Sequence, residues 1–268
     1  MHTVWRLLNT AQDCGAANMA VDEAILRAVQ AGTVPPTLRL YGWTPACLSL
    51  GHAQPAAEVD WEACRRLGVD VVRRSSGGRA ILHVDELTYS LAAPDSEPRV
   101  AGDIVSSYRK ISAGLLAGLR LLNVPGLESK PQASSTHRAL PASPVCFQAP
   151  SHYEITVGGK KLAGSAQMRK RAVLLQHGAI PLCGDIARIC RLLLPRPEEA
   201  ALRARATTVE ATLGRAPSFD EAAAALVIGF SHALNVELVA GQLTLQEQLW
   251  AAELRRDKYG CDEWTKRR

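Results

Sequence analysis

The sequence predicts an α+β fold, and three observations carry that expectation. Short apolar runs at 37–41 and 47–50, bounded by Pro or Gly, have the length and flanks of strands. Other segments repeat their apolar residues at helical spacing. From about Asp185 onward the chain becomes Ala/Leu/Arg-rich, a composition that favours packed helices. At 268 residues, with 47% hydrophobic and 21% charged, the composition is that of a folded chain and excludes wholesale disorder.

In chain order, the first helix is expected at about 16–31, where Val21, Ile25, Ala28 and Val29 recur and the acidic pair Asp22-Glu23 stands in the first half. Asp103 occupies a capping position ahead of Ile104, Tyr108, Ile111, Leu115, Leu119 and Leu122, which recur at helical spacing. The stretch 125–144, rich in Pro, Ser and Ala, predicts a mobile loop leading into Cys146. A strand-rich block follows to about 182. Within it Tyr153, Ile155 and Val157 alternate, and Gly158-Gly159 suits a two-residue hairpin turn. That register pairs Thr156 with Lys161 and sets Lys161 and Ser165 on the face of Glu154, away from Ile155 and Leu162. Ser218-Phe219-Asp220-Glu221 has the pattern of a capping box. The expected division is a core over 1–182 and a small helical C-terminal part over 183–268, packed on it.

Composition narrows the function classes. Thirty-one basic against 26 acidic residues give a net charge of +5. Much of the excess lies near the C-terminus, in Arg255, Arg256, Lys258, Lys266, Arg267 and Arg268. Aromatic residues are only 5%, so the basic stripe interleaved with aromatics that marks nucleic-acid binders is missing. The charge fits weak attraction to an acidic partner protein, or simply a solvated, disordered end. Seven cysteines, odd in number and without a C-x-x-C, argue against a disulfide framework and against a zinc site. No apolar run nears the roughly 18 residues of a membrane span, and the N-terminus lacks a secretory pattern; a cytoplasmic location without membrane attachment is expected.

Four segments have the residue types of a site. The tract Arg73-Arg74-Ser75-Ser76-Gly77-Gly78-Arg79 offers backbone N–H groups free of bulky side chains, flanked by fixed positive charge suited to an anionic ligand; it reads equally well as a hairpin turn with solvated arginines. Lys161 stands on the second strand of the Gly158-Gly159 hairpin, either solvated or projecting into a cleft. Cys146 is a free thiol on a neighbouring segment, and an ammonium beside it would raise its thiolate fraction; a buried, inert thiol is the other reading. His177 sits inside an apolar strand and His83 ends the Arg/Gly segment, each a core histidine or a site residue.

Taken together, these segments resemble the lipoate–biotin ligase and octanoyltransferase superfamily, in consistent order from about Trp5 to Leu182. The resemblance rests on Asn18-Met19-Ala20-Val21-Asp22-Glu23-Ala24, Tyr41-Gly42-Trp43, Leu48-Ser49-Leu50-Gly51, Arg73 to Ala80 with His83, and Lys161-Leu162-Ala163-Gly164-Ser165-Ala166. Glu86-Leu87-Thr88-Tyr89-Ser90, Cys146-Phe147, Tyr153-Glu154-Ile155 and Leu175-Gln176-His177-Gly178 are similar to bacterial octanoyltransferases of the LipM type. The tract 128–143 matches no feature of that family.

The resemblance implies a catalytic domain of the biotin/lipoate ligase kind, with a mixed, largely antiparallel sheet flanked by helices. It implies transfer of an octanoyl group from acyl carrier protein to a lysine of a lipoyl domain, such as that of the glycine cleavage H protein, in lipoate biosynthesis. Cys146 is then the nucleophile that holds the acyl group as a thioester, and Lys161 its dyad partner. Arg73, Ser76, His83 and His177 fall to loop geometry and support, and backbone N–H groups at Gly77-Gly78 or Gly164-Ser165 to oxyanion stabilisation. Thioester exchange is nearly isoenergetic and amide formation downhill, so no ATP, metal or other cofactor is expected. The alternatives are an ATP-dependent lipoate ligase, which lacks the nucleophilic cysteine, and an amidotransferase moving octanoate between lipoyl domains.

Overall fold

A computed structural model describes residues 3–131, 145 and 153–267 of the chain. Its strands are β1 (Thr3–Asp13), β2 (Thr37–Trp43), β3 (Cys47–Leu50), β4 (Asp70–Arg73), β5 (Ile81–His83), β6 (Glu86–Pro94), β7 (Leu127–Pro131), β8 (Tyr153–Val157), β9 (Lys160–Lys170), β10 (Val173–Pro181) and β11 (Val236–Ala240). Its α-helices are α1 (Gly15–Gln30), α2 (Trp61–Arg66), α3 (Ile104–Leu121), α4 (Glu199–Arg205), α5 (Val209–Leu213), α6 (Phe219–Leu234), α7 (Leu245–Leu254) and α8 (Asp262–Thr265). No helix among the described residues is long and apolar enough to cross a membrane.

Eight strands form one sheet in the order β11-β1-β2-β6-β10-β9-β8-β7, and β4-β3-β5 form a second. The β11–β1 and β1–β2 pairs are parallel and the other pairs of the large sheet are antiparallel. This is the mixed, largely antiparallel α+β architecture that the resemblance implies. Strands β6 and β10 at its centre are buried almost throughout, as strands covered on both faces must be.

On one face lie α3 and α6. Asp103 caps α3, its carboxylate accepting from the Ser106 N–H at 2.7 Å, and the predicted apolar stripe delivers Ile111, Leu115 and Leu119 to the core fully buried. Each such side chain contributes about 1.5–3 kcal/mol by leaving water. They pack with Trp5, Leu87, Tyr89 and Phe230 in a single apolar cluster. On the other face α1 and the small sheet enclose Met19, Ala20, Tyr41, Trp43 and Cys47. Between the sheet and α1 sits the cleft described below.

Three details depart from the sequence expectations. Part of the predicted loop, Leu127–Pro131, is the edge strand β7, paired with β8; the remainder, through residue 144, lies outside the described residues. The stretch after 182 is not wholly helical, because β11 pairs in parallel with β1 and extends the large sheet. Its five residues follow α6 directly after Asn235, whose left-handed conformation (φ 51°) turns the chain, so a helix-rich composition hid a short strand. Ser218 does cap α6, accepting from the Glu221 N–H, while the Glu221 carboxylate pairs chiefly with Arg215 and interacts only weakly with the Ser218 N–H. The full capping box is at Thr244 and Glu247.

Candidate active site

The segment after β4 is built from the inside by its own arginines. The Arg73 guanidinium, buried, donates to the carbonyls of Gly51 (2.9 Å), Gln54 (2.6 Å) and Thr265 (3.0 Å). Arg74 donates to the carbonyls of Ser49, Gly77 and Arg79 at 3.0, 2.9 and 2.8 Å. Both side chains thus hold backbone and do not present their charge to solvent. With those carbonyls drawn inward, Gly77 and Gly78 form a turn close against Gly51, where a Cβ would lie 1.9 Å from the Gly78 oxygen. Only glycine fits at 51.

Two histidines flank the cleft beside this segment, each between a serine and a carboxylate. Ser76 Oγ lies 2.5 Å from His177 Nε2, and His177 Nδ1 faces Asp22 Oδ2 at 3.5 Å. Ser49 Oγ lies 2.7 Å from His83 Nε2, and His83 Nδ1 lies 2.6 Å from Glu86 Oε1. Trp43 stacks on the His83 ring at 4.0 Å and donates its indole N–H to Thr88. Asp22 also accepts from Arg39 (2.7 Å), Tyr41 (2.9 Å) and Ser90 (2.8 Å). Burial would raise its carboxyl, but Arg39 and His177 outweigh that and hold it below the usual range. Burial drives His177 below its ordinary value; Asp22 opposes this, and Arg74 and His83 reinforce it. A neutral His177 with Nδ1–H toward Asp22 accepts the Ser76 hydroxyl at Nε2. The cleft between the two histidines is narrow, a cavity of only about 10 Å³, and is lined mainly by apolar surface, with Tyr41, Trp43, Ile81 and Ala166 among its residues.

Lys161 lies nearer one end of β9. The hairpin turns at Gly158 and Gly159, with φ 55° and 77°, and Thr156 pairs with Lys161 as the alternation predicts. The Lys161 ammonium, 3% exposed, lies 3.1 Å from Glu154 Oε1. The predicted face of Ser165 needs correction. The register shifts so that Ile155 pairs with Ala163, which leaves Leu162 as an extra residue in a bulge and reverses the facing beyond it. Ser165 Oγ therefore accepts from Tyr89 on the α3 side of the sheet, while Lys161 stays with Glu154. Gly164 stands opposite Ala179 and Ser165 opposite Gly178. Cys146 lies outside the described residues. Its neighbour Val145 is buried and bridges Ala80, in the apolar cluster that also holds Ala179 and Ala206, and Ala206 bridges Lys161.

The C-terminal segment reaches the site too. Tyr259 OH lies 2.6 Å from Ser75 Oγ, and Trp264 Nε1 donates to the Arg73 carbonyl at 2.7 Å. Arg267 stacks over Trp264 at 3.6 Å, and Lys258 pairs with Glu23. Among the described residues of the basic end, Lys258, Lys266 and Arg267 have partners within the chain in Glu23, Asp262 and His52. The sequence did not single out Asp22, Ser49 or Glu86 as members of this network. A signal existed for the first: Asn18 and Asp22 continue the buried Ile25 and Val29 stripe at spacings of four and three.

Residues 15–231 match the model of the lipoyl protein ligase A/B catalytic domain. An octanoyltransferase LipM of Symbiobacterium thermophilum is 46% identical over 277 residues, with 100% of both chains covered. One of Kyrpidia tusciae is 44% identical over 272 residues, covering 98% of this chain and 99% of that one. Among solved structures, a bipartite lipoate protein ligase from Thermoplasma acidophilum, described together with its E2 lipoyl domain, superposes with a TM-score of 0.81 at 27% identity, covering 99% of this chain and 97% of the other.

Proposed function

This chain belongs to the lipoyl protein ligase A/B catalytic-domain family and is an acyltransferase, an octanoyltransferase of the LipM type, and from that premise we propose that it moves octanoate from acyl carrier protein to a lipoyl-domain lysine through Cys146. The Cys146 thiolate attacks the octanoyl carbonyl; the new C–S bond forms as the bond to the carrier's sulfur breaks, and that sulfur leaves with a proton. The acceptor lysine, as in a glycine cleavage H protein, then attacks the octanoyl-enzyme: the amide C–N bond forms as the thioester C–S bond breaks, and the amine's proton restores the Cys146 thiol. Two moderate barriers replace one high barrier. Neither step consumes ATP.

Lys161 serves as the dyad partner, stabilising the thiolate and exchanging the proton with the leaving thiol and the incoming amine. The observation that carries this reading is its setting: an ammonium withdrawn from solvent on a strand bridged to Ala206, in the same apolar cluster as the residue preceding Cys146. The Gly77-Gly78 turn, its carbonyls held inward by Arg74, is the favoured source of N–H groups for the tetrahedral oxyanion, with Gly164 and Ser165 the second source. Ser76, His83 and His177 shape the acyl cleft, and Arg73 supports the turn from beneath.

Incubation with octanoyl-acyl carrier protein without ATP, read by intact mass, tests the mechanism. An octanoyl adduct is expected in the wild type and not in Cys146→Ala, and Lys161→Ala should slow its formation about 10²- to 10⁴-fold. An adduct on another cysteine, or a strict need for ATP, would refute the thioester route. A donor preference for octanoylated lipoyl domain would mark an amidotransferase instead.

A further inference from the structure

Beside the cleft lies a groove that carries much of the chain's surplus charge. Its walls are the later turns of α1, the β9–β10 turn and the C-terminal segment. It spans roughly 1250 Å³ including its open side, and its charged lining is Arg27, Arg169, Lys170, Arg171 and Lys258 against the single carboxylate of Glu23. The net charge of the whole chain is only +5. Arg169 turns its guanidinium away, to the carbonyls of Gly102 and Asp103. Glu23 is shared by Lys258, Tyr259 and Arg27. Lys170 and Arg171 are exposed and make no ion pair with any described residue. Lys258 feels the crowding. Burial lowers its ammonium, Glu23 raises it, and the charges of Lys170 and Arg27 push it down again. An anionic surface laid here would relieve that repulsion.

The groove adjoins the cleft at three places. Along α1, Glu23 of the groove follows Met19 of the cleft by one turn, about 6 Å. Along β9, Met168 follows Ala166 by two residues, about 7 Å. Ser75 of the groove is the chain neighbour of Arg74 of the cleft. Lys161 is nine residues from Lys170 on the same strand, about 30 Å away.

We propose that this groove is the docking surface for the acyl donor, an acidic carrier protein whose long prosthetic arm passes from the groove into the neighbouring cleft. The proposal rests on the octanoyl-transfer reading above. The position favours the donor over the acceptor. An acceptor offers its amine on a short lysine side chain and must dock near the reacting thioester, whereas an arm-borne acyl group can start from a remote surface.

The double variant Lys170→Glu/Arg171→Glu tests this. Both side chains are exposed, on a turn outside the cleft. Binding of dye-labelled octanoyl-acyl carrier protein, measured by anisotropy in a Cys146→Ala background, should weaken about 10-fold at low ionic strength, with the difference shrinking in 0.5 M salt as screening takes over. Turnover of octanoyl-N-acetylcysteamine, a small uncharged donor, should remain within about two-fold of wild type. Unchanged carrier affinity overturns the proposal. So does an equal loss with the small donor, or a loss confined to the KM of the lipoyl-domain acceptor. The binding measurement does not depend on acyl-enzyme formation, so failure of Cys146 to become acylated would sink the thioester mechanism without touching this result.

Discussion

Asp22 gathers Arg39, Tyr41, Ser90 and His177 around one buried carboxylate. Its removal leaves the Arg39 charge buried with a main partner gone, so Asp22→Ala should cost about 3–5 kcal/mol, read by urea unfolding. The ionisation of this network sets a pH dependence. His177 is held below 6.5 when folded, so the unfolded chain takes up that proton first. Its contribution is complete above 6.5 and declines as the pH falls through that value. Asp22, Glu23 and Glu247 are held below their ordinary 3.8 and 4.5, and their contributions are kept above those values and lost on further acidification. The Tm should therefore fall in two stages with acid, the first below about 6.5 and the second below about 4.5. His177→Gln should remove the first stage alone; an unchanged profile would show that another group titrates there. Sequence indicated the types of several cleft residues but not their partners. Ser76 and His177 are 101 positions apart and meet only through the fold.

Helices α3 and α6 approach closely at glycines. A Cβ on Gly229 of α6 would lie 2.2 Å from the Gly118 nitrogen of α3, and one on Gly114 would enter the Phe230 ring. Gly229→Ala should destabilise by about 1–3 kcal/mol through overpacking, although alanine is the better helix former by about 1 kcal/mol; a denaturant midpoint that rises instead would contradict the packing. Elements with a strong local signal were legible. Periodicity placed α1 and α3, Asp103 announced its cap, and the double glycine fixed the hairpin and its Thr156–Lys161 pair. What local pattern could not reveal was the bulge at Leu162, which follows from how β9 fits β8 on one side and β10 on the other. Strand β11 escaped for a related reason: its short, half-exposed sequence gains its conformation by lying beside β1.

At the scale of the molecule, the C-terminal segment is joined to the site rather than appended to it. Trp264 and Tyr259 hold Arg73 and Ser75 from behind. Trp264→Ala should cost about 2–4 kcal/mol, below or within the range for deleting a large aromatic from a core, and should raise the KM for the small thioester donor. Ending the chain after Leu254 should do the same more severely. An unchanged KM in a folded truncation would show that the Ser-Ser-Gly-Gly turn keeps its shape unaided. The parallel pairing of Thr3 with Val236 has a consequence for biosynthesis. At about 5–20 residues per second, the first strand waits roughly 10–50 s on the ribosome before its outer neighbour has been translated. Until then β1 presents an uncovered edge to solvent, a template for unwanted association.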